Sequence, residues 1–129
     1  MGSVLVWADI PVVDLGRASN FYAHVTGQPV LVMPETGDSV AVIGDPNADE
    51  PPMFSADLYV GGTPLGEGGV TLYFGTDGDI DGMLARVLEA GGEVTREKQF
   101  MGPMVGWIAY FKDTEGNRIG LQQPPDELL

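Results

Sequence analysis

The stretch Gly106–Gln123, GWIAYFKDTEGNRIGLQQ, decides the fold. Trp107, Ile108, Ala109, Tyr110 and Phe111 are rich in aromatic and β-branched side chains, which suit a pleated, half-buried surface. Asp113 to Asn117 then reads as a turn. Asp113 accepts hydrogen bonds from backbone N–H groups just ahead of it, and Gly116 and Asn117 tolerate the positive φ of a tight reversal. Arg118 to Gln123 returns as a strand, and Pro124-Pro125 ends it because proline has no N–H to give to a ladder. A hairpin of this kind is expected to complete a sheet, with Gly120 at the centre of its returning strand.

Working outward, Val70 to Thr76 reads as a strand, Asp77 to Asp79 supplies a helix N-cap, and Ile80, Met83, Leu84, Val87 and Leu88 form a helical stripe that stops at Gly91-Gly92. Glu93 to Lys98 is a short strand and Met101 to Met104 a loop. The earlier half follows the same plan. Val4 to Val13 is a first strand, and Asp14 caps a helix with Leu15, Ala18, Phe21, Tyr22 and Val25 on one face and Gly27 as its stop. Pro29 to Met33 and Ser39 to Ile43 are strands joined by a turn-rich connection, Asp45 to Pro52 is a surface loop, and Phe54 to Val60 is a fourth strand. Gly61 to Gly69 is a glycine-rich linker. Aligning Asp14-Leu15 with Asp79-Ile80 sets the halves 65 residues apart, which predicts an internal duplication. The expected fold class is α+β, a single domain over 1–129. It holds two βαβββ modules, about 4–60 and about 70–123, whose curved mixed sheets surround a concave pocket with the helices outside.

Composition narrows the function classes. A net charge of −13 repels a nucleic-acid backbone or an anionic membrane, so neither is an expected partner. With no cysteine there is no disulfide framework, thiolate metal site or cysteine nucleophile. No apolar run is long enough to span a bilayer and no basic start leads an apolar segment, so a cytoplasmic, acidic, soluble protein is the expectation. The glycines of the linker make no phosphate cradle. Asp77 to Gly82 opens like a calcium loop, but Leu88 stands where a bidentate Glu belongs, so a helix start is the better reading.

The sequence resembles the vicinal oxygen chelate superfamily, which contains glyoxalase I, extradiol dioxygenases and fosfomycin- and bleomycin-resistance proteins. The resemblance is carried by Asp9-Ile10-Pro11-Val12 running into Asp14-Leu15, Phe21-Tyr22 with Gly27, Asp79-Ile80 with Ala85-Arg86 and Ala90-Gly91-Gly92, and above all Phe111 to Leu121. The single-domain glyoxalase-related branch looks closest. Enzymes of that family hold a divalent metal on the concave face through His, Gln or Glu side chains, two from each module. Here those positions fall on Trp7, on a register-uncertain place in Phe54 to Val60 where Asp57 stands, on Leu72 or Thr71, and on Gly120. An indole offers only a donor, and leucine and glycine offer nothing. Iron oxygenase chemistry needs two histidines and a carboxylate, and the sole histidine, His24, falls on the first helix. No cofactor is therefore expected, with a displaced divalent-metal site at Asp9 or Asp57 as the alternative. Gly120 reads as leaving room where a metal-binding Glu normally stands.

What the resemblance implies is a metal-free protein that binds a small, partly apolar or aromatic molecule in the concavity, working as a homodimer. Expected ligand contacts are Trp7, Tyr73, Trp107, Met104, Arg118, Gly120 and Gln122; Arg118 is read equally as pairing with Asp113 or Glu115 across the turn. One alternative is a glyoxalase-like lyase or isomerase, with Asp9 or Asp57 as base and Tyr110 as acid. A second is a drug-sequestering protein of the bleomycin-resistance kind, whose acidic cavity suits a cationic ligand. Tryptophans and tyrosines on strands serve equally as ordinary core, and Asp9 equally as a satisfied structural carboxylate.

Overall fold

The computed structural model describes residues 5–49, 54–66 and 68–126. The expected strand start at Val4 and the loop residues Glu50 to Pro52 lie outside the described residues. The elements run β1 (Ala8–Val12), α1 (Leu15–Thr26), β2 (Val30–Val32), β3 (Val40–Gly44), β4 (Phe54–Val60), β5 (Leu72–Gly75), α2 (Ile80–Glu89), β6 (Glu93–Phe100), β7 (Trp107–Lys112) and β8 (Arg118–Gln123). They form two four-stranded mixed sheets of matching order, β1-β4-β3-β2 and β5-β8-β7-β6. In each, the first strand lies parallel to the last and the other pairs are antiparallel.

Both helices start and stop where the sequence says. Asp14 accepts a bond from the Arg17 N–H and Asp79 one from the Gly82 N–H, each satisfying a donor that the first helical turn leaves orphaned. Gly27 ends α1 at φ 69°, a left-handed conformation that favours glycine. Several strand boundaries differ from expectation: β5 runs only from Leu72 to Gly75, β2 and β3 shift by one residue, and the ends of β1 and β6 move further. Strand β1 begins at Ala8, because Leu5 and Val6 stand exposed outside the ladder. Strand β6 continues to Phe100, because Gln99 and Phe100 pair with Ile108 and Trp107.

The core lies between the helices and one face of each sheet, where Ile10, Val12, Phe21, Tyr22, Leu58 and Val87 pack with Ala109, Phe111, Ile119 and Leu121. The halves are tied together by the turn of the last hairpin. Asp113 Oδ1 accepts from the Glu115 and Asn117 N–H groups, each at 2.8 Å, and its Oδ2 accepts from the Tyr22 hydroxyl at 2.5 Å. Asn117, fully buried, donates from Nδ2 to the Pro11 carbonyl at 2.8 Å and accepts at Oδ1 from the Leu65 N–H at 2.7 Å. Glu115 Oε1 accepts from the Val13 and Asp14 N–H groups, and its carboxylate meets Arg17 at 2.7 Å. Arg17, on α1, is thus the guanidinium that Glu115 takes, while Arg118 turns to the face of the sheet. Despite the cost of burial, the bonds from Arg17, Asp14 and Thr114 hold the Glu115 carboxyl down at about 2.

Candidate functional site

Strand alternation sorts the candidate residues by face. On β4, Ala56 and Leu58 enter the core, so Asp57 shares the opposite face with Ser55 and Tyr59. On β8, Ile119 and Leu121 are core, leaving Arg118, Gly120 and Gln122 opposite. On β7 the core residues Ala109 and Phe111 put Ile108 and Tyr110 on that same outer face. The register then places two triplets in matching positions: Asp9, Asp57 and Val42 across β1-β4-β3, and Tyr73, Gly120 and Tyr110 across β5-β8-β7.

In the first triplet the central residue is a carboxylate. Trp7, just before β1, donates its indole N–H to Asp57 Oδ2 at 2.8 Å and leans toward Asp9 Oδ1 at 3.3 Å. Asp57 is 7% exposed, whereas Asp9 and the Trp7 ring open to solvent. Burial, with the Asp9 carboxyl beside it, pushes Asp57 up to about 6 despite the Trp7 N–H. Two positions that the family resemblance assigned to metal ligands are therefore bonded to each other.

The second triplet has a glycine at its centre. A Cβ on Gly120 would lie 2.3 Å from the Tyr73 ring, so the space is taken by that ring and is not left open as the sequence suggested. The Tyr73 and Tyr110 hydroxyls meet at 2.6 Å with ring centroids 5.7 Å apart. Burial and the Tyr110 hydroxyl hold Tyr73 up at about 12. The Arg118 guanidinium stacks on the Tyr110 ring, 4.5 Å from its centroid. Of the two readings for the second-module ligand position, Leu72 packs against the core. Thr71 lies in a hollow of about 480 Å³ between the β1 and β5 segments, whose walls include Trp7, Asp9 and Tyr73.

Trp107, Met104 and His24 lie apart from these groups, while Gln122 lines a hollow beside Tyr73. Trp107 has the parity of Ala109 and Phe111, so it packs at the core edge beside Phe100, with Lys98 over its ring at 4.9 Å. Met104 is 93% exposed in the loop after β6. Gln122 spends its amide N–H on the Val105 carbonyl at 2.6 Å, pinning that loop to the sheet. His24 bonds Glu89 at 2.8 Å on the outer surface of the helices. A larger hollow of about 680 Å³, where the ends of α1 and β3 meet the start of α2, contains none of the candidate residues. The Trp7–Asp57 contact is the feature sequence reading missed. It bridges 50 positions, and only the matching of Asp57 to Asp9 in register would have revealed it.

A metal of the family type needs several His, Glu or Gln donors converging. Among the described residues no three His, Cys, Asp or Glu side chains form such a group. An indole, one shielded carboxylate and a glycine covered by a phenol ring do not make a ligand set.

The family model for the Glyoxalase/Bleomycin resistance protein/Dioxygenase superfamily matches residues 4–121, and the chain belongs to that superfamily. Among solved structures it is similar to a glyoxalase/bleomycin resistance protein from Albidiferax ferrireducens (TM-score 0.72, 23% identity, 94% of this chain and 99% of that one). It is also similar to TnmS3, an antibiotic binding protein from a Streptomyces species (TM-score 0.61, 28% identity, 95% and 96%). A further similarity is to the fosfomycin resistance protein FosX from Listeria monocytogenes (TM-score 0.68, 15% identity, 98% and 97%). No curated protein matches the chain.

Proposed function

We propose that this chain binds a small, partly apolar or aromatic molecule on its concave face, and does so without the metal of its enzymatic relatives. The observation that carries this is the fate of the ligand positions: Trp7 is bonded to Asp57, and Gly120 lies under Tyr73. Exposed Trp7 and Tyr73 beside a largely apolar hollow supply broad stacking surfaces for such a molecule. The likeness to an antibiotic binding protein at 28% identity supports binding, including sequestration, over turnover. The working form is a homodimer, a proposal favoured by exposed Leu31, Val32, Phe100 and Met101 on the sheets and the loop after β6.

The test is a thermal-shift screen of planar aromatic compounds with EDTA present throughout. Stabilisation that Trp7→Ala abolishes is the expected result. Stabilisation that appears only when a divalent ion is added overturns the metal-free reading.

Asp57 carries a second reading. A carboxyl held at about 6 takes and returns a proton near neutral pH, which suits a lyase or isomerase that abstracts a proton α to a carbonyl. Deuterium uptake by hydroxyacetone, seen with the native chain and lost in Asp57→Asn, would favour it. Uptake no faster than in buffer removes it.

A further inference from the structure

Gly120 has a tyrosine as its register partner on both sides, and its missing side chain is what lets Tyr73 and Tyr110 meet above it. The two hydroxyls carry two hydrogens, and the bond between them uses one. Neither oxygen has another partner among the described residues, so one O–H remains to be given. The pair is held in place rather than floppy. Tyr73 lies on the bare backbone of Gly120, and Tyr110 is clamped under the Arg118 guanidinium. Beside it, Tyr73 also forms one wall of a second hollow, of about 470 Å³, which adjoins the hollow walled by Trp7 and whose other walls include Met101, Val105, Ile108 and Gln122.

Resting on the small-molecule reading above, we infer that the Tyr73–Tyr110 pair donates a hydrogen bond to a neutral acceptor oxygen, a ketone or quinone carbonyl, on an aromatic ring seated in that apolar hollow. Three features select this class. The hollow is lined mainly by apolar side chains, among them a thioether and branched aliphatics, with the Gln122 amide bonded to the Val105 carbonyl at its wall, which suits a flat ring and offers no formal charge. The protein carries a net charge of −13 and Asp9 lines the adjoining hollow that Tyr73 also walls, which disfavours a carboxylate or phosphate although Arg118 stands over the Tyr110 ring. The unspent group is a donor, so the matching ligand atom is an acceptor, and a site built around a donor rejects an analogue that lacks the acceptor. Held up at about 12, Tyr73 keeps its proton throughout the neutral range.

The experiment compares 2-acetylnaphthalene with 2-ethylnaphthalene, which share size and shape and differ in the carbonyl oxygen. Affinities are read by NMR titration of the native chain and of the double variant Tyr73→Phe with Tyr110→Phe. The ketone is expected to bind about tenfold more tightly than the hydrocarbon. In the double variant that ratio should fall to near one. Equal binding of both probes to the native chain, or a preference that survives the double variant, overturns the hydroxyl assignment and leaves the face standing as an apolar binding surface. Binding of neither probe overturns the assignment together with the small-molecule reading. Rescue of the preference by either single variant, each of which keeps one hydroxyl, separates lost donation from altered packing.

Discussion

The two triplets at matching places in the two sheets are chemical opposites. Asp9, Asp57 and Val42 put a shielded carboxylate at the centre, with an indole N–H on it. Tyr73, Gly120 and Tyr110 put a bare backbone at the centre, with two phenols closing over it. Away from these faces the halves stay alike, with helix-capping aspartates 65 residues apart and the same strand order. The two halves share what forms helices and ladders and differ in what their outer sheet faces carry. Frame and face are therefore separable, and substitutions should act on stability through one and on ligand chemistry through the other.

The largest effect belongs to the frame. Asn117→Ala strips bonds from the Leu65 N–H, the Pro11 carbonyl and Asp113 in a fully buried site, and should cost about 3 kcal/mol in denaturant unfolding. A loss under about 1 kcal/mol would mean that the hairpin turn does not join the halves.

Two carboxylates of opposite linkage come next. Glu115, held down at about 2, contributes stability that is present above its unfolded value near 4.5 and lost as pH falls toward 2, on the order of 2–3 kcal/mol. Asp57, held up at about 6, does the reverse: its contribution is present below about 3.8 and lost as pH rises through 6. Asp57→Asn should flatten the decline between those values and raise stability at pH 7 by about 1–2 kcal/mol, as read from urea midpoints across pH. A variant with an unchanged pH profile would show that the carboxylate triplet is not strained.

Gly120→Ala tests the other triplet. Its new Cβ collides with the Tyr73 ring, so a cost of about 1–2 kcal/mol is expected, and the ring should swing away from Tyr110. Ultraviolet titration should then find the Tyr73 transition displaced from about 12 toward the ordinary tyrosine value. An unmoved transition would mean that the glycine is not what holds the phenols together. The smallest effect is His24→Ala, which removes an exposed hydrogen bond with Glu89 and should change stability by less than about 0.5 kcal/mol.

Much of this was legible in the sequence because the chemistry is local. The Asp113–Asn117 turn, the caps at Asp14 and Asp79 and the stop at Gly27 depend on residues within a few positions of one another. The phase of β7 was open to the same reading, although the sequence alone sets Trp107 with Tyr110 as a cavity residue. Trp107 and Phe111 are four apart on one strand, so burying Phe111 turns Trp107 away from the phenols. What stayed hidden depends on register across the chain. Nothing near Gly120 announces that a tyrosine 47 positions earlier lies on it, and nothing near Trp7 announces Asp57. The apolar run from Leu5 suggested strand as readily as the residues after it, because hydrophobicity alone does not say whether a ladder partner is present.

The most direct measurement is metal stoichiometry. Protein purified without chelator is analysed for bound metal, then stripped and titrated calorimetrically with Mn²⁺, Ni²⁺ and Zn²⁺. A face whose ligand positions are closed by the Trp7–Asp57 bond and the Tyr73 ring predicts no stoichiometric ion and no binding tighter than the millimolar range. One ion per chain at micromolar affinity, lost in Asp57→Asn, would contradict it.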